Sequence, residues 1–248
     1  MSGTLFVPGA SSDIGRALIG LIGARYDKCI AHCFRGAERL QETASAAGLS
    51  VTGLRDAGGM TILSADLTSA EETENLLTEL TQAGIVPDDI VYLPSAPFSY
   101  CQFKKLEPVS FEDALSLTLM PAVRILHALL PAMAKRGSGH VVTMLSAVTD
   151  GMPPKFLSAY TTAKYALLGL MRSLAAEYGE KGILINGISP VMTDTRFLAQ
   201  VPEKIREIAA ADRPDGRLLS PEEAAQAIAV LLEASGADAP CGTNRVIA

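Results

Sequence analysis

Along this chain, short apolar runs alternate with longer stretches in which apolar and polar positions repeat at helical spacing. The runs TLFVP (4–8), KCIAHCF (28–34), MTILSAD (60–66), DIVYL (89–93), HVVTML (140–145), ILINGIS (183–189) and NRVIA (244–248) predict strands. Residues 14–26, 37–48, 69–84, 111–137, 157–182 and 220–235 predict the helices between them. Ser69 and the pair Ser220-Pro221 are helix-start signals, and Gly84, Gly137 and Gly182 stand where a left-handed residue ends a helix. The strands are continuously apolar rather than alternating, which requires cover on both faces. Strand and helix in turn, repeated along 248 residues, predict one α/β domain: a doubly wound, Rossmann-like parallel sheet of about seven strands. Ligands of such sheets bind beyond the carboxyl ends of the strands. The stretch 190–219 has no clear strand, is too long for an ordinary connection, and predicts a lid.

Composition narrows the partners. Hydrophobic residues make up 48% and charged residues 19%, as in a globular chain, and the net charge of −6 disfavours nucleic acid and anionic membrane surfaces. Small molecules and proteins remain. No run of about 18 uninterrupted apolar residues offers a membrane span. The start of the chain lacks the basic region and long apolar core of a secretory signal. The four cysteines, Cys29, Cys33, Cys101 and Cys241, have no metal-ligand spacing; no metal is expected. Cys29 and Cys33 fall on one face of a predicted strand and read as buried thiols of a reducing, cytoplasmic compartment.

Candidate chemistry starts at VPGASSDIG (7–15), a glycine-bracketed turn after the first strand. It opens a helix whose N-terminus suits an anion, with Gly9, Ser11, Ser12, Ile14 and Gly15 placed to approach a pyrophosphate. Asp13 stands in the middle, where a phosphate would want bare backbone. A carboxylate is locally favourable at a helix N-terminus, so Asp13 is expected to point to solvent or to cap. After the second strand, Phe34 and Arg35 occupy the place where an NAD fold carries a carboxylate for the ribose. Arg35 suits a 2′-phosphate and favours NADP. Asp66-Leu67 closes the third strand, where the acid can meet an adenine amino group. Downstream, Tyr160 and Lys164 stand at i and i+4 on one helix face. An ammonium beside a phenol brings it toward proton transfer at neutral pH. Ser146, fourteen residues earlier at a strand end, can hydrogen-bond a reacting carbonyl.

Taken together these motifs resemble the short-chain dehydrogenase/reductase family over nearly the whole chain, most closely the 3-oxoacyl-acyl carrier protein reductases. The resemblance implies hydride transfer from NADPH to a ketone. It implies Tyr160 as acid, Lys164 on the nicotinamide ribose, Ser146 on the carbonyl, and Pro190 and Thr195 at the carboxamide. It also places Thr118 where the family carries an Asn that holds a proton-relay water. Several positions depart from the pattern. Pro8 and Asp13 replace a Thr and a Gly of the first loop, PSAP (94–97) stands for an Asn-Asn-Ala-Gly element, and Val191 follows Pro190 in place of Gly. PSAP is expected to brace the strand end by rigidity. The departures leave a second reading open, a non-catalytic reductase-like subunit supporting a catalytic partner.

Met152, Pro153, Pro154, Phe156, Met192, Phe197, Leu198 and Val201 suggest an apolar substrate portion, a 3-oxoacyl thioester being one candidate. Arg196, Lys204, Arg206, Arg213 and Arg217 make the lid basic, as a carrier-linked substrate would want. The two long helices carry more apolar residues than a sheet face needs. That agrees with the homotetramer or dimer the resemblance suggests, and a heteromer with a related chain also fits.

Overall fold

The computed structural model describes residues 3–98, 100–236 and 239–248. In chain order its elements are β1 Thr4–Val7, α1 Asp13–Ile22, β2 Lys28–Cys33, α2 Ala37–Ala46, β3 Met60–Ser64, α3 Ala70–Gln82 and β4 Asp89–Tyr92. There follow α4 Val109–Thr118, α5 Met120–Arg136, β5 Gly139–Met144, α6 Ser158–Tyr178, β6 Ile183–Pro190, α7 Glu203–Ala211, α8 Pro221–Leu232 and β7 Asn244–Ile247. All seven strands are parallel in the order β3-β2-β1-β4-β5-β6-β7. The order reverses between β1 and β4, which opens a crevice at their carboxyl ends.

The uninterrupted apolar strands are explained by two cores. Leu5, Val7 and Val91 face one way and pack with Leu18, Ile19, Ile228 and Leu231 of α1 and α8. Phe6, Ile90 and Tyr92 face the other way, against Leu76, Ile125, Leu129, Leu167 and Met171 of α3, α5 and α6. Successive strand residues thus enter opposite cores. Cys29 and Cys33 both lie in the first core, and burial pushes the Cys29 thiol up to about 12. The helix signals hold: Ser69 caps α3, and Ser220 forms a capping box with Glu223 behind Pro221. Gly84, Gly137 and Gly182 all take positive φ.

Two elements differ from expectation. The helix predicted over 111–137 is two helices meeting at Leu119, where the backbone stays helical and the i→i−4 register holds on both sides, but Pro121 has no N–H to give and one bond of the ladder is missing. By length and composition the run Val109–Arg136 is apolar enough to cross a membrane (mean hydropathy 1.5), but Ala122, Ile125, Leu126, Leu129 and Met133 spend that apolarity on the second core. The stretch 190–219 contains a 3-10 turn, Arg196–Gln200, and α7, and a bridge between Thr193 and Leu219 closes its base.

Candidate active site

The first loop is compact because two glycines permit it. Gly9 has φ +78°, and a Cβ on Gly15 would sit 2.5 Å from the Ala10 carbonyl oxygen. Ser12 caps α1, its hydroxyl accepting from the Gly15 N–H at 3.1 Å. The Gly9 N–H donates to His32 Nδ1 (3.2 Å), and His32 Nε2 lies 3.1 Å from the Ala65 carbonyl. A buried neutral imidazole therefore ties the loop to the end of β3; burial lowers its pKa. Such a cradle at a helix N-terminus fits a dinucleotide phosphate.

Asp13 neither caps nor points to solvent. Its carboxylate accepts from Arg39 Nη2 at 2.7 Å, Arg196 Nε at 3.3 Å and the Arg196 backbone N–H at 2.8 Å. Two guanidinium groups, from α2 and from 190–219, outcompete solvent for it. Arg39 escaped the sequence reading because its reach back to the loop depends on how α2 lies against α1.

At the ends of β5 and β6 lies a cavity of about 480 Å³. Ser146, Tyr160, Lys164, Ser12, Ile14, Pro190 and Thr195 all line it, so the structure brings these predicted residues together. Ser146 and Ser95 line the cavity beside the Tyr160 phenol; the Ser146 hydroxyl accepts from the Val148 N–H at 3.4 Å and the Ser95 hydroxyl donates to the Ala96 carbonyl at 3.3 Å. Burial pushes this phenol up to about 12, and the two hydroxyls pull against that rise. Lys164, only 1% exposed, donates from Nζ to the Met144 carbonyl at 2.8 Å, and burial lowers it to about 7. Its ammonium sits 5.7 Å from the Tyr160 ring centroid.

Phe98 packs edge-on to Tyr160 and to Phe197, each at 5.0 Å between centroids. With Tyr100, Met152, Pro154, Met192 and Leu198 these rings make an apolar enclosure around one phenol, one ammonium and two serines. Ser95 and Phe98 were not singled out in the sequence, although Ser95 is the one hydroxyl within PSAP.

Other predicted residues lie elsewhere. Thr118 is fully buried and does not line the cavity. Its hydroxyl accepts from the Ala96 N–H at 3.0 Å, and its carbonyl accepts from the Tyr92 hydroxyl at 3.0 Å. Pro94 and Pro97 carry no N–H, so Ala96 is a donor that must be paired, and Thr118 pairs it. PSAP is braced by this bond as well as by proline rigidity. Arg35 is exposed with its guanidinium 4.9 Å from the Phe34 ring centroid, in the turn that packs Gly36 against Ser11. Asp66 holds the Thr68 N–H at 2.9 Å and the Thr68 hydroxyl at 2.7 Å, an Asx turn into α3, and Leu67 is buried beside it. Of the basic 190–219 residues, Arg196 pairs with Asp13, and Arg213 and Arg217 pair with Asp215 and Glu223. Only Lys204 and Arg206 remain from that basic set. Among the described residues no cluster of His, Cys, Asp or Glu suits a metal.

Residues 35–239 match the family model described as enoyl-(acyl carrier protein) reductase. The chain is 28% identical over 235 residues to the 3-oxoacyl-[acyl-carrier-protein] reductase of Pseudomonas aeruginosa, covering 91% of this chain and 87% of that protein. It is also 28% identical over 226 residues to the cis-4-hydroxycyclohexanecarboxylate dehydrogenase of Sinomonas cyclohexanicum, again over 91% and 87%. The fold matches the crystal structure of a 3-oxoacyl-[acyl-carrier protein] reductase from Brucella melitensis with a TM-score of 0.81 at 21% identity, over 99% of this chain and 89% of that one. With the parallel sheet, the first loop and the Ser146–Tyr160–Lys164 cluster in place, the chain belongs to the short-chain dehydrogenase/reductase family of oxidoreductases.

Proposed function

We propose that this oxidoreductase is an NADPH-dependent carbonyl reductase acting on a ketone next to an apolar group, a 3-oxoacyl thioester being the best-supported class. The observation that carries the reading is the Tyr160 phenol facing an apolar cavity that Ser146 also lines, with Lys164 beside its ring. The relatives named as 3-oxoacyl reductases support the substrate class. Phe34 at the end of β2 offers no carboxylate to a ribose, and Arg35 beside it favours a 2′-phosphate. Gly9, Ser11, Ser12, Ile14 and Gly15 would hold the pyrophosphate. Asp66 and Leu67 would flank the adenine, Lys164 the ribose, and Pro190 and Thr195 the carboxamide. Residues 190–219 act as a lid.

When bound, the cofactor supplies the hydride that goes to the carbonyl carbon. Tyr160 gives its proton to the carbonyl oxygen while Ser146 donates a hydrogen bond to that oxygen, leaving an alcohol and a phenolate. A phenol near 12 carries its proton at neutral pH and so starts as the acid. Its phenolate is then a far stronger base than the Lys164 amine at about 7, so reprotonation from the ammonium runs downhill. Reduction should therefore decline as pH rises above about 7, where the ammonium is lost.

The outer faces of α5 and α6 support a homodimer or tetramer. Met120 and Tyr165 are exposed there, and Arg124 Nη1 and Thr161 Oγ1 are buried without a hydrogen-bond partner among the described residues. Free buried thiols suit a reducing cytoplasm.

The test is NADPH oxidation with an acetoacetyl thioester by the natural protein and by Tyr160→Phe, with a crotonyl thioester beside it because the matching family model is described as an enoyl reductase. Turnover of the ketone that vanishes in the variant supports the reading, and turnover of the enoyl thioester alone overturns it. The non-catalytic subunit reading has one observation of its own, the Asp13 carboxylate in the phosphate loop. Absence of NADPH binding by fluorescence would favour it.

A further inference from the structure

We propose that Asp13 is a latch that holds the lid down on the phosphate loop and competes, as an internal anion, with the phosphates of the cofactor. The second half rests on the dinucleotide reading above; the first half does not. Three segments far apart in sequence meet at one carboxylate. Its Oδ2 accepts the Arg196 backbone N–H at 2.8 Å, and its Oδ1 accepts Arg39 Nη2 at 2.7 Å and Arg196 Nε at 3.3 Å. The neighbouring Ser11 carbonyl accepts Arg39 Nη1 at 3.2 Å and Arg196 Nη2 at 3.4 Å. The Arg39 and Asp13 side chains are 24% and 20% exposed, so that pair is better shielded than an ordinary surface ion pair, while the Arg196 guanidinium is 65% exposed and its hold rests mainly on the backbone N–H.

The backbone contact fixes more than a side chain. Arg196 begins the 3-10 turn of the lid, and the next residue, Phe197, packs on Phe98 and lies 6.3 Å from Tyr160. Holding the Arg196 N–H therefore sets where the aromatic roof rests over the phenol. Electrostatics supply the competition. The N-terminus of α1 and two guanidinium groups make a seat for an anion, and Asp13 puts one there itself. Counting side chains, one carboxylate and two guanidinium groups leave +1, and without the carboxylate +2. A phosphate arriving at the loop must displace the carboxylate from Arg39 and Arg196 or accept its repulsion.

The experiment uses Asp13→Asn, which keeps the shape of the helix start, and Asp13→Gly. Trypsin acts on the protein without cofactor, and cleavage after Lys204 and Arg206 reports lid opening, with cleavage after the exposed Arg55 as internal control. Both variants are expected to be cut in the lid about tenfold faster, the scale of losing charge-assisted hydrogen bonds, with Arg55 unchanged. NADPH, titrated by fluorescence, is expected to bind the Asn variant about fivefold more tightly, the scale of one partly screened charge. Unchanged lid cleavage in the Asn variant overturns the latch, even if the Gly variant alone is cut faster, since glycine also weakens the start of α1. Equal or weaker NADPH binding in the Asn variant overturns the competition. Should NADPH bind neither protein, the competition falls with the dinucleotide reading, while the cleavage rates still decide the latch.

Discussion

At the start of β4 and β5, Asp89 accepts from the Tyr26 hydroxyl and from His140 Nδ1 at 2.7 Å, and His140 Nε2 lies 2.9 Å from the Ala234 carbonyl. Both imidazole nitrogens face acceptors, an arrangement that favours the imidazolium beside a buried carboxylate and raises the His140 pKa above its usual value. Just beyond the far ends of the same two strands, Ser95, Ser146, Tyr160 and Lys164 form the other polar cluster. There the phenol faces a cavity and, among the described residues, the ammonium has one acceptor, the Met144 carbonyl. One end spends its polar groups on each other; the other turns them toward a cavity, where the proposed function needs them. On the proposed function, the same strands carry stability at one end and chemistry at the other, where pairing capacity is left open.

The sharpest way to break this division is to substitute one residue at each end. Tyr160→Phe should lower ketone reduction about a thousandfold, the scale of losing a general acid, and change stability by less than about 0.5 kcal/mol. His140→Gln should do the reverse. It leaves Asp89 buried without its cation, at a cost of about 3 kcal/mol in urea unfolding, with the turnover of the folded protein retained. A His140 variant that folds normally and turns over slowly would mean that the two ends are one unit.

Thr118 tests whether the open end has a saturated frame of its own. Thr118→Val keeps the shape and removes the acceptor of the Ala96 N–H, stranding a buried donor between two prolines. A loss of about 2 kcal/mol in stability is expected. Because Ser95 adjoins Ala96, a slower turnover of severalfold should accompany it, with the pH profile of reduction unmoved. A displaced pH profile, restored by Thr118→Ser, would return Thr118 to the proton path.

What could be read in the sequence follows this division in part. The apolar runs located all seven strands; in β1, β2, β4, β5 and β6 burial on both faces leaves no alternation to confuse with a helix, while the edge strands β3 and β7 are less buried. Tyr160, Lys164 and Ser146 were legible because helix spacing and a strand end fix where they point. Asp13 was misread because its partners lie in α2 and beyond β6, and local rules know only the helix N-terminus. Thr118 lies outside the cavity, where register alone does not reveal its role. Its environment is set by a donor left unpaired between two prolines 22 residues away, which no periodicity marks. The Tyr26–Asp89–His140 network drew no notice at all, since its members lie on three separate elements and carry no motif.

The finest test uses the buried His32 and the half-buried His140, whose pKa values shift in opposite directions. At the saturated end, burial disfavours the His140 cation, but the bond to Asp89, the Ala234 carbonyl and the Asp89 charge outweigh it and raise the pKa above 6.5. That stabilisation is complete below 6.5 and fades as pH rises through the raised folded value. At the open end, His32 must stay neutral to accept the Gly9 N–H, and burial lowers its pKa below 6.5 despite the Ala65 carbonyl. Its contribution is complete above 6.5 and fades as pH falls through 6.5 toward the lowered value. Urea unfolding from about pH 5 to about pH 9 should therefore show an acid decline that His32→Gln flattens and an alkaline decline that His140→Gln flattens. Acidification should also weaken NADPH binding before it unfolds the sheet, because protonated His32 can no longer accept from the phosphate loop. If acid lowers binding and global stability in step, the loop is as firmly held as the network at the other end of the strands, and the division between the two ends is one of chemistry alone.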